Sequence, residues 1–290
     1  MAAVLRRATV SVLRRSTPHV RCISSTPSLL RDASQNDGPI ALNWFENAFL
    51  VGGSAIASIL DPRRADMIAV LGETTAGPAL PRLRDRMLES PEGRRVLRDR
   101  PLINTQTVDM EKLRTLPEGT FGHTYVTWLD RCGVTPDTRD RVMYITDPEL
   151  AYVMQRYREC HDFYHAICGL PVDVFSELAI KYFEFANMGL PVSALSAAFG
   201  PLRLTAKKRE RLFKEFVPWA LRCGSSSKSL ITVYWEERWE TNTEELKKEL
   251  GIWDPPPVRW SKLLTEAARE AARRAQREAA APGSTSGPSV

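Results

Sequence analysis

Apolar positions along the chain recur with a helical period, not an alternating one. The clearest stretch begins at Pro148, where Leu150, Val153, Met154 and Tyr157 fall at i, i+3, i+4 and i+7, the spacing of one buried helical stripe. Thr146 or Asp147 is placed to cap this helix, and Pro148 suits its first turn. Projected forward, the stripe reaches His161, Tyr164, His165 and Cys168 before Gly169-Leu170-Pro171 ends the helix. A second stripe (Phe175, Leu178, Ala179, Tyr182, Phe183, Ala186) runs across 172–188 and closes at Gly189-Leu190-Pro191. Two helices joined by so short a turn are expected to pack antiparallel.

The rest of the chain reads the same way. Residues 43–60 are mostly apolar, but the core from Ala48 to Leu60 is too short to span a bilayer. Its length favours a buried helix over one lying at a membrane interface. Residues 77–100 are dense in arginine and broken by Pro and Gly; a solvated face of short helices fits them better than a lipid-binding surface. Residues 205–221 turn from basic to apolar, 224–227 (Gly-Ser-Ser-Ser) read as a loop, and 241–250 as a charged helix. Pro255-Pro-Pro257 breaks the chain, and 256–290 read as an Ala/Arg-rich helix with a frayed tail. The expected class is all-α: one helical domain over 40–255.

Composition sharpens this in two ways. With 43% hydrophobic and 26% charged residues, the chain can bury a sizeable core. The net charge of +5 is misleading, because residues 1–31 hold six arginines and no acid. Removing them from the 40 basic residues leaves 34 against 35 acids, so the body is near neutral and no nucleic acid partner is expected. The leading segment, rich in Arg, Ser and Thr, has the composition of a mitochondrial import peptide, with 32–39 as a linker. In the matrix, Cys132, Cys160, Cys168 and Cys223 are expected as free thiols.

The candidate chemistry lies in His161-Asp162-Phe-Tyr-His165 and Glu177. Residues four apart on a helix differ by about 40° in direction, so both imidazoles face one way and can ligate one ion. Both also fall on a buried stripe, where an imidazole without a partner costs about 1–3 kcal/mol. Asp162 points about 100° away and is either a ligand or an outer partner. Glu177, early in the facing helix, can approach the pair across an antiparallel hairpin. Two imidazoles with one or two carboxylates suit Zn2+, and also Fe2+ or Mn2+. Cys168 as a thiolate ligand is the weaker reading, since buried free cysteines are common.

His161-Asp162-Phe163-Tyr164-His165, then eleven residues, then Glu177 resembles the His-Asp-x-x-His-x11-Glu signature of the Coq4 family of ubiquinone biosynthesis proteins. The flanks agree: Thr146 to Cys160 before it, Phe183 to Pro191 and Phe199-Gly-Pro-Leu-Arg203 after it, and the block Tyr234-Trp-Glu-Glu-Arg-Trp239. The resemblance implies a metal held by His161, Asp162, His165 and Glu177, most readily Zn2+. It also implies a peripheral location on the matrix side of the mitochondrial inner membrane, within a multisubunit complex of other ubiquinone biosynthesis proteins. The implied reaction is C1 decarboxylation of a 4-hydroxy-3-methoxy-5-polyprenylbenzoate, simple or oxidative. The alternative is a non-enzymatic, polyprenyl-lipid-binding scaffold that organises the complex. A His-Asp phosphohydrolase, with His123 as the further ligand, and a His-Glu-x-x-His protease are both weaker fits.

Overall fold

The computed structural model describes residues 38–60, 64–258 and 260. The import segment, most of the linker and residues 261–290 of the C-terminal tail lie outside the described residues. Within them the chain is helical, without a strand; one isolated bridge pairs Thr120 with Asn242. The all-α expectation is met.

Twelve α-helices follow in order: α1 Trp44–Leu60, α2 Ala65–Thr75, α3 Leu80–Glu89, α4 Pro91–Asp99, α5 Met110–Thr115, α6 Phe121–Cys132, α7 Pro148–Cys168, α8 Val174–Met188, α9 Pro191–Phe199, α10 Ala206–Arg211, α11 Val217–Ser226 and α12 Thr243–Leu250. Helix α7 is the centre. Asp147 caps its start by accepting from the Glu149 and Leu150 amides. Gly169 ends it at φ 64°, a conformation that favours glycine. From Tyr152 onward α7 is buried almost all round, not along one stripe, and Arg156, Arg158, Glu159 and Asp162 go inside with it.

Arg156, Arg158 and Asp162 are in ion pairs, and Glu159 accepts from the Ile103 amide and the Gln155 side chain. Arg156 is bound by Glu236 and donates to the Val233 carbonyl, while Arg158 meets Glu73 at 2.9 Å. Unpaired, each would cost several kcal/mol. The Tyr234–Trp239 block therefore clasps α7: Glu236 takes Arg156, and Trp235 and Trp239 pack with Phe121 and Phe163. The arginines of α3 and α4 serve the fold as well. Arg95 pairs with Glu237, and Arg86 donates to the Asn187 carbonyl, so these two tie α3 and α4 to distant elements and do not only face solvent.

Two expectations are corrected. The 224–227 loop is instead the end of α11, which runs on from α10 through a π-helical turn, Leu212–Phe216. A side chain at Gly224 would sit 2.5 Å from the Phe183 carbonyl oxygen, so glycine there permits close packing of α11 on α8. Helix α1 is not buried. It rests on α2, but Trp44 (83% exposed), Phe45, Phe49 (72%) and Ile56 all face outward. Length and apolar content gave no account of which neighbour would cover this helix, and among the described residues none covers that face.

Candidate metal centre

Side-chain contacts run in opposite order along α7 and α8. Tyr157 meets Glu184, His161 meets Lys181, and His165 meets Glu177, which is the antiparallel hairpin read from the sequence. Asp173 opens α8 by accepting from the Phe175 and Ser176 amides, and this sets the register that turns Glu177 toward the histidines.

The donor atoms of His161, His165 and Glu177 lie within 4.8 Å of one another. Each imidazole Nε2 is 3.3 Å from a different Glu177 oxygen, and the two rings meet edge to face at 4.8 Å. His165 is wholly buried, whereas the Glu177 side chain keeps 37% of its surface open to solvent, so the trio is reachable from one side.

The other ring nitrogens show how the donors are set. His165 Nδ1 lies 3.1 Å from the Leu170 carbonyl oxygen, which can only accept, so Nδ1 carries the proton. Its Nε2 then presents a lone pair, and this buried atom has no hydrogen-bond partner; its contact with Glu177 is close but poorly aligned. A buried lone pair aimed at a carboxylate is unfavourable unless a proton or a metal cation lies between them. His161 Nδ1 lies 2.6 Å from Glu184 Oε1. Imidazoles that bond a carboxylate or carbonyl through one nitrogen, leaving the other for the ion, are the usual outer arrangement of metal sites.

The electrostatics favour a positive charge here. Burial and Lys181 push the His161 imidazole down, but Glu184 and Glu177 outweigh them and its pKa lies above the ordinary value. Burial raises the Glu177 carboxyl, yet the adjacent His165 and His161 rings hold it well below the usual carboxylate range. The residues thus fit a borderline divalent ion with N and O ligands.

Asp162 is placed differently from the other three. Its carboxylate turns to Arg139, 2.5 Å away, in keeping with its offset of about 100° around α7. Cys168 and Cys160 are buried thiols with pKa values pushed well up by burial. Neither joins the trio. Glu184 and Lys181 adjoin His161, with Tyr157 and Ser193 behind them on Glu184; the sequence showed Tyr157 only as a core position and left the other three unread. A signal for two of them was present: Glu177, Lys181 and Glu184 fall at i, i+4 and i+7, a polar stripe on an otherwise apolar helix.

Fold and site together define an all-α protein with a His-x3-His pair and a facing carboxylate of metal-centre type. The family described as "Coenzyme Q (ubiquinone) biosynthesis protein Coq4" matches residues 37–256. The chain belongs to this Coq4 family of coenzyme Q (ubiquinone) biosynthesis proteins. Among its relatives, the "Ubiquinone biosynthesis protein COQ4, mitochondrial" of Laccaria bicolor is 66% identical over 257 residues, 89% of this chain and 84% of that one. The protein of the same description from Coprinopsis cinerea is 61% identical over 285 residues, 94% of this chain and 98% of that one. A solved structure, a putative ubiquinone biosynthesis protein from Nostoc punctiforme PCC 73102, superposes with a TM-score of 0.57 at 22% identity, over 71% of this chain and 98% of that one. At that identity the likeness concerns the fold alone.

Proposed function

We propose that the protein is a metal-dependent lyase of ubiquinone biosynthesis, which removes the C1 carboxylate of a 4-hydroxy-3-methoxy-5-polyprenylbenzoate. The observation that carries this reading is the His161, His165 and Glu177 trio with both Nδ1 atoms facing acceptors. These three residues would hold the ion, Zn2+ before Fe2+ or Mn2+. A bound divalent ion supplies Lewis acidity toward the departing carboxylate. Asp162 stands beside them as the partner of Arg139 and is available as a fourth ligand only when that pair opens.

The protein's own residues do the positioning. Arg139, whose side chain is 29% exposed, would be free to take a substrate carboxylate once it leaves Asp162. Trp128 packs against the His165 ring and keeps that side of the site apolar. A water-poor surround strengthens every charge interaction at the reacting carboxylate.

The same reading places the protein in mitochondria, peripherally on the matrix face of the inner membrane, in contact with other enzymes of the pathway. Its relatives carry "mitochondrial" in their names. Among the described residues no helix is long and apolar enough to cross a membrane. The outward Trp44, Phe45, Phe49 and Ile56 of α1 give a bilayer an apolar face to take up.

The test is elemental analysis of the purified chain beside His161→Ala, together with CO2 release from the substrate. Near-stoichiometric metal and CO2 release in the first, and neither in the second, is expected. Metal-free wild type that releases CO2 as fast as the loaded protein would contradict the reading. A scaffold role gains if Glu177→Ala abolishes the metal but leaves complex assembly and ubiquinone production intact.

A further inference from the structure

Glu184 is wholly buried, seven residues beyond Glu177 on α8. An ionised carboxylate in such a place is retained only where donors satisfy it. Its Oε2 is close to three: Lys181 Nζ at 2.8 Å, the Tyr157 hydroxyl at 2.8 Å and Ser193 Oγ at 3.1 Å. These come from α8, α7 and α9, so the carboxylate is fixed from three helices. Oε1 is left to His161 Nδ1, 2.6 Å away. Two acceptors at that distance repel unless a proton lies between them, and an ionised carboxylate has none to give. Nδ1 must therefore be the donor.

Lys181 Nζ lies 3.3 Å from the same Nδ1. The opposite arrangement, Lys181 donating to an unprotonated Nδ1, would set that lone pair against Glu184 Oε1 at the shorter distance. The ammonium instead balances the charge of Glu184.

We infer that Glu184 is the positioning residue of the metal centre: it holds the His161 ring with the proton on Nδ1, so that Nε2 turns its lone pair to the cation. This rests on the metal-binding reading above. A purely structural Lys–Glu pair would support stability and leave metal affinity alone.

The experiment measures Zn2+ affinity of the full chain by competition with a chromophoric chelator, and the visible absorption of the Co2+-loaded protein. Glu184→Gln keeps the volume but weakens the acceptor, and should lower Zn2+ affinity by about 10- to 100-fold and shift the Co2+ bands. Tyr157→Phe removes bonds to Oε2, Lys181 Nζ and Ser193 Oγ but none to Oε1 or Nδ1, and should bind Zn2+ much as wild type does. Should Glu184→Gln fail to fold around an unpaired ammonium, the Lys181→Met/Glu184→Gln double variant carries the test, with the same loss expected. Wild-type affinity in either folded variant would overturn the inference while leaving the metal reading intact. Failure of wild type to bind either ion would overturn both.

Discussion

Helix α1 and the α7–α8 hairpin invert the usual relation between composition and burial. The first carries Trp44, Phe49 and Ile56 into solvent; the second carries Arg156, His161, Lys181 and Glu184 out of it. An exposed apolar face and a buried polar cluster are both informative, because neither follows from the hydrophobic effect alone. In α7 and α8 the buried Arg156, Arg158, Asp162 and Glu184 each have an ion-pair partner, and Glu184 and Lys181 adjoin His161 of the trio. In α1 no described residue covers the outward face. The difference teaches that a helix's surroundings, not its mean hydropathy, set what it buries.

The contrast can be broken at either end. The largest effect is expected at the clasp on α7. Glu236→Ala leaves the Arg156 guanidinium buried and unpaired, and should cost about 3–5 kcal/mol in urea unfolding.

Acid should act next. Burial raises the Glu184 carboxyl, but Lys181 and His161 outweigh it and hold its pKa far below the ordinary 4.5. A depressed pKa gives stability that is fully present above 4.5 and is lost as pH falls through the folded value. In metal-free wild type that loss is about 1.4 kcal/mol per pH unit below 4.5. Glu184→Gln should flatten the slope, as unfolding at stepped pH will show.

Asp147→Ala removes the cap of α7 and should cost about 1 kcal/mol, read from the thermal midpoint. Smallest of all, Phe49→Ser in α1 should change stability by no more than about 0.5 kcal/mol. It should nonetheless weaken sedimentation with cardiolipin-containing vesicles. A large loss of stability there would show that the face is covered within the fold.

Much of the site was legible in advance because it obeys a short-range rule. The four-residue spacing of His161 and His165 fixes their common direction, and the Gly169 turn brings Glu177 back alongside. What the sequence hid depends on distant partners. Asp162 stands next to His161, but its rotation around α7 turns it toward Arg139, twenty-three residues upstream. Ser193 reaches Glu184 only because α9 folds back over α8. Gly224 looked like a loop residue, since nothing local reveals that the Phe183 carbonyl presses on it. The exposure of α1 was hidden for the same reason: an apolar helix of that length packs inside or lies on a surface according to its neighbours.

The most direct measurement is X-ray absorption at the metal edge of the loaded protein. Two imidazole nitrogens at about 2.0–2.1 Å with carboxylate oxygen and no sulfur are expected. A first shell containing sulfur, or one without the outer-ring scattering of two imidazoles, would contradict a cation held between His161, His165 and Glu177.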